Sequence, residues 1–154
     1  MPDDLYDRDI LRWAEQQAGL LRRVAGGERV NETVDWPHII EEVEDLGRAE
    51  LHAVESLLRQ AMLHLLKLNA GADQPAAHWR AETLGFLADA ASRFTQSMRQ
   101  RIDLDRLYSR AMRQAEAGGM TPQSAVPDAC PWPLDALLSD TADIDALLAS
   151  LVKP

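Results

Sequence analysis

The feature that most constrains this chain is a single apolar stripe over residues 36–69. Ile40, Val43, Gly47, Leu51, Val54, Leu58, Met62 with Ala61, Leu65 and Leu68 recur at steps of three and four. That spacing predicts one long helix, because 3.6 residues per turn brings such positions onto one face. Asp35 can cap it, and Pro37 suits its first turn, where no amide partner is needed. Its first half carries Glu41, Glu42, Glu44, Asp45, Glu50 and Glu55 around the stripe, whereas residues 61–68 are apolar nearly all round. A helix apolar on every side must be surrounded by other elements. The expected fold class is therefore all-α, with the later half of this helix at the middle of a compact bundle.

The remaining segments read the same way. Ile10, Trp13, Ala14, Gln17, Leu20, Leu21 and Val24 predict a first helix over 4–25, closed by Gly26-Gly27. Trp79, Thr83, Phe86, Leu87, Ala90, Phe94 and Met98 predict a third over 75–100. A fourth should start at the Asp103 cap, carry Leu104, Leu107, Tyr108, Ala111, Met112 and Ala115, and stop at Gly118-Gly119. Thr121-Pro122 and Trp132-Pro133 can each start a short helical turn. Ile144, Leu147, Leu148 and Leu151 form a short stripe that cannot fold alone. The expectation is at least four long helices in a bundle over 1–138, and a C-terminal amphipathic helix over 139–154 packed on it or on a second copy.

Composition narrows the function classes. The net charge of -9 over 154 residues makes general nucleic-acid binding unexpected, since phosphate contacts supply most of that affinity. Residues 1–55 hold 14 acids against 6 bases, and residues 76–117 seven arginines against five acids. Charged faces of this kind are usually solvated helix surfaces, and they also suit complementary contact. The acidic start Met1-Pro2-Asp3-Asp4 lacks the basic-then-apolar pattern of a signal peptide. The most apolar run, residues 61–68, is far short of the ~20 residues a membrane span requires. A cytoplasmic location is expected. Cys130, the one cysteine, excludes an intrachain disulfide and an all-cysteine metal centre within one chain.

Several short elements, in order, carry a resemblance. They are Leu5-Tyr6, Asp35-Trp36, Glu41-Glu42-Val43-Glu44, Gly47, His64-Leu65-Leu66-Lys67, Trp79-Arg80 and Pro127-Asp128-Ala129-Cys130-Pro131-Trp132. Over residues 5–138 the chain resembles the bacterial domain-of-unknown-function family numbered twenty-nine. The resemblance implies an all-helical fold and assigns no activity.

The residues that could carry chemistry are few. Glu41, Glu44 and His64 would supply carboxylate and imidazole ligands for a divalent-metal hydrolase or nuclease. An unbroken helix would hold Glu44 and His64 roughly 30 Å apart, so that site needs a break near Gly47 or a second subunit. His38 with Glu41 or Glu42 is a local alternative for a metal. No Glu-x-x-His pair and no His-Glu-x-x-His occurs. His64, on the flank of the stripe, reads first as a buried histidine with a polar partner on a neighbouring helix. Lys67 lies off the stripe and is expected to reach water. Cys130 lacks the electropositive setting of a nucleophile. Arg99, Arg106, Arg110 and Arg113 read as a salt-bridged surface. No phosphate-binding glycine loop, dinucleotide fingerprint or serine elbow is present, and no cofactor is expected. The resulting reading is a protein-interaction module with an unknown protein partner, more a binding protein than an enzyme. A homo-oligomer and the metal-dependent hydrolase remain as alternatives.

Overall fold

The computed structural model of the protein describes residues 5–71, 76–120 and 125–152. Among them are seven α-helices, one 3₁₀ turn and no strand. In chain order these are α1 (Leu5–Arg8), α2 (Ile10–Ala25), α3 (Trp36–Asn69), α4 (Ala76–Arg93), the 3₁₀ turn Gln96–Met98, α5 (Leu104–Ala117), α6 (Leu134–Leu137) and α7 (Ile144–Ala149). The chain divides into two compact units, residues 1–48 and 49–154.

Most boundaries follow from their caps. The Asp103 carboxylate accepts from the Arg106 amide and starts α5, and Gly118 ends it. Gly119 then takes the left-handed conformation, at φ 77°. α3 has the length that its stripe predicts. Two boundaries differ from expectation. The first helix is split at Asp9, whose backbone turns out of the helical region and whose side chain accepts from the Arg12 amide, so α2 starts afresh. The third ends at Arg93, short of residue 100. There Ser92 bonds back to the Asp89 carbonyl and Thr95 adopts an extended backbone. Short hydroxyl side chains compete with the helix ladder in this way. Thr121-Pro122 lies outside the described residues, while Pro133 does start a short helix, α6.

In residues 49–154 the core is built on α3. Val54, Leu58, Ala61, Met62 and Leu65 are fully buried, joined by Leu87 and Ala90 of α4, Leu107, Tyr108 and Ala111 of α5, and Leu137. Each large aliphatic side chain so buried gains about 1.5–3 kcal/mol of transfer free energy. Ile144, Leu147 and Leu151 belong to the same cluster. The Trp132 indole donates to the Leu147 carbonyl at 2.8 Å, and Arg80 pairs with Asp145. Tyr108 donates to the Pro127 carbonyl at 2.8 Å and meets Trp132 edge to face, which fastens the proline-rich segment.

In residues 1–48 the buried large apolar side chains are Trp13, Leu20 and Val34, with Gln17 buried among them. Ile10, Leu11, Val24, Trp36, Ile40, Val43 and Leu46 are all exposed.

Candidate functional site

A cleft of about 840 Å³ lies within residues 1–48 and is lined by Arg8, Arg12, Trp13, Gln16, Asp35 and His38, among others. Its organising group is Asp35, the residue before α3. The carboxylate receives the Trp13 indole hydrogen at 2.9 Å, and His38 Nδ1 lies 2.7 Å from the same oxygen, Oδ2. An ionised carboxylate can only accept, so the imidazole must be the donor. The Asp35 carbonyl accepts from the Ile39 amide at 3.0 Å and so opens the hydrogen-bond ladder of α3. The Asp35 amide in turn donates to Gln17 Oε1 at 2.9 Å. The buried glutamine of α2 thus has its partner in the loop before α3.

Aromatic contacts complete the wall. Tyr6 stacks on His38 with ring centroids 4.0 Å apart and meets Trp13 edge to face at 4.9 Å. The Tyr6 hydroxyl donates to Glu42 Oε1 at 2.5 Å. That bond, with the field of Glu42, Glu41 and Asp45, pushes the Tyr6 hydroxyl up to about 12. The Asp35 hydrogen bond raises His38 above the ordinary histidine value. Burial works to raise Asp35, but the bonds from His38 and Trp13 outweigh it and hold the carboxyl below its usual range. The arrangement is a hydrogen-bonded wall in which one carboxylate oxygen serves both Trp13 and His38.

The candidate residues from the sequence fall as follows. His38 turns to Asp35 and Tyr6, and Glu42 to Tyr6. Glu41 and Glu44 are exposed on α3, and Arg48 lies 3.8 Å from Glu44. α3 runs unbroken through Gly47, so the break that would turn Glu41 or Glu44 back towards His64 does not occur within the helix. His64 belongs to a different constellation, within residues 49–154. Its side chain is 12% exposed, and its Nδ1 lies 3.4 Å from Glu82 Oε2. His78 Nε2 lies 3.1 Å from the other Glu82 oxygen. The His64 contact is at ion-pair distance but out of line for a hydrogen bond, which leaves Nδ1 buried without a hydrogen-bond partner. Phe86 and Trp79 meet the ring edge to face at 5.3 and 6.4 Å. Burial, with Lys67 nearby, lowers His64 below the ordinary value against the opposing pull of Glu82. Lys67 lies over the Trp79 ring, 5.6 Å from its centroid. Among the described residues no group of three or more His, Cys, Asp or Glu is placed to hold a metal ion.

Of the arginines on and before α5, Arg99 pairs with Asp135 at 2.8 Å and Arg106 with the buried Glu55 at 2.9 Å. Burial raises the Cys130 thiol, and its Sγ donates to the Trp132 carbonyl at 3.5 Å.

A second surface feature lies on the same hairpin. Between α2 and α3 runs a groove of about 220 Å³, bordered by Ala14, Ala18 and Leu21 on one side and Ile39, Val43 and Leu46 on the other. Gly47, one turn on from Val43, has open space where a Cβ would stand.

These features define an all-helical protein with a polar cleft and an apolar groove on its first helical hairpin. The chain belongs to the family of the domain of unknown function DUF29, which matches residues 5–142. It is similar to an α-helical protein of unknown function from Rhodospirillum rubrum, at 31% identity over 98% of this chain and 99% of that one, with a TM-score of 0.72. No curated protein matches the chain. Among the described residues no helix is long and apolar enough to cross a membrane.

Proposed function

We propose that the protein is a protein-interaction module and that the α2–α3 face of residues 1–48 is its interaction surface. One observation carries the reading. Of the nine large hydrophobic side chains exposed among the described residues, seven lie between Ile10 and Leu46. Single exposed hydrophobics are ordinary, but a contiguous apolar patch rimmed by charge marks a surface that another molecule covers. Of the seven, Val43 and Leu46 border the apolar groove between α2 and α3, on helices already formed, so binding there costs little ordering. Leu11, Val43 and Leu46 are each about two-thirds exposed, which frees them from a role in the chain's own core.

The test is capture of partners from the native host with the full chain and with the double variant Val43→Asp/Leu46→Asp. Companion proteins retained by the first and lost by the second support the reading. An identical set with both chains overturns it.

A further inference from the structure

We infer that the occupant of the α2–α3 face is a second copy of this chain, packed two-fold so that α2 of each copy lies on α3 of the other. The inference rests on the interaction reading above and names its partner.

Three observations converge. The first is exposure. Seven large side chains between Ile10 and Leu46 stand 39% to 68% exposed, and Val43 and Leu46 among them border the apolar α2–α3 groove. The second is charge. α2 carries Arg12, Arg22 and Arg23 against Glu15, while residues 36–48 carry Glu41, Glu42, Glu44 and Asp45 against Arg48. A two-fold contact pairs a surface with its own image, residue i on j and j on i. Here that symmetry sets the basic helix of each copy against the acidic helix of the other, twice over. The third is layering. Two helices bury a face only on one side, and two such hairpins packed face to face make four helices around a shared core. The small side chains of Ala14 and Ala18 border the groove, and Gly47 adds no side chain to the face, so helices can approach closely.

The experiment is sedimentation equilibrium of the full chain at micromolar concentration, with circular dichroism as the control for folding. The expected result is twice the chain mass for the native protein. Val43→Asp/Leu46→Asp should weaken self-association by about a hundredfold, at about tenfold per substituted position counted over both copies. Leu11→Asp, on the other helix, is the second variant, and it should weaken association about tenfold, the loss of that apolar group from both copies taken together. Both variants should keep the native helix signal, since all three side chains are mostly exposed.

A native chain that sediments as one copy overturns the inference. If it then still captures a host protein through Val43 and Leu46, the interaction reading stands without it. A single copy with no such capture overturns both, including the case where the face is covered by the chain's own residues 49–154. A dimer that neither variant weakens lies on another surface and also overturns the inference.

Discussion

Trp13 donates its indole hydrogen to Asp35 across 22 residues of sequence, and the receiving oxygen also holds His38. One carboxylate therefore fastens α2 to the start of α3 and sets the imidazole in place. The hairpin of residues 1–48 buries few large apolar side chains, so this polar joint matters more to it than a similar bond would in a deep core.

Asp35→Ala should cost about 1–3 kcal/mol, because it orphans the buried Trp13 N–H. Urea unfolding followed by tryptophan fluorescence measures it. A loss below about 0.5 kcal/mol would show that the carboxylate is not the joint described.

The two histidines should titrate on opposite sides of the ordinary value of about 6.5. His38 is raised by its bond to Asp35. Its contribution to stability is full below the unfolded value and is lost as pH rises through the folded one. Nuclear magnetic resonance of the imidazole protons should place His38 above the ordinary histidine value, and Asp35→Asn should bring it back down. A His38 titration at or below that ordinary value would refute the pairing.

His64 is lowered by burial, so the sign reverses. As pH falls below about 6.5 the unfolded chain takes up this proton first, and stability declines until the folded value is passed. His64→Gln should flatten that decline in urea titrations repeated between neutral and mildly acid pH. An unchanged slope would mean that another group carries it.

Leu65→Ala should cost about 2–5 kcal/mol, because it opens a cavity among fully buried neighbours. Leu46→Ala, the same change on the same helix, should stay within about 0.5 kcal/mol in a chain dilute enough to be dissociated. Equal costs at the two sites would contradict the difference in burial, 0% against 68%.

Trp132→Phe should cost about 1–3 kcal/mol, since it keeps much of the ring but strands the Leu147 carbonyl in a buried site. Chemical denaturation monitored by circular dichroism checks it. No change would mean that α7 is held by its apolar stripe and the Arg80–Asp145 pair without help from this bond.

Much of the fold was legible because its signals are local. The stripe of α3, the Asp103 cap and the Gly118-Gly119 stop each act within a turn or two of the residue that carries them. Burial of Leu58 followed from its place on the stripe, that of Met62 and Leu65 from the all-round apolar run as well, and the near-burial of His64 from its place on the flank of the stripe. The cleft was not legible, because its contacts join residues far apart in sequence. Asp35 reads as a cap from its neighbours alone, and nothing local says that its side chain also serves Trp13. One signal was present. Gln17 occupies a stripe position, and a polar group there must find a partner once buried. The periodicity of α3 also overstates its core, since Ile40 and Val43 continue the stripe yet stand exposed.

The cluster that unites Val54 with Leu151 has a consequence for the order of events during synthesis. Residues 1–48 draw their contacts from helices close in sequence, so that hairpin can form soon after it leaves the ribosome. Residues 49–154 draw theirs from opposite ends of the segment, and Trp132 finds its acceptor only once Leu147 has emerged. Until then the apolar flank of α3 from Val54 to Leu66 stays open to water and to other nascent chains. The stretch of this protein most exposed to misassociation while being made is the one most deeply enclosed when finished.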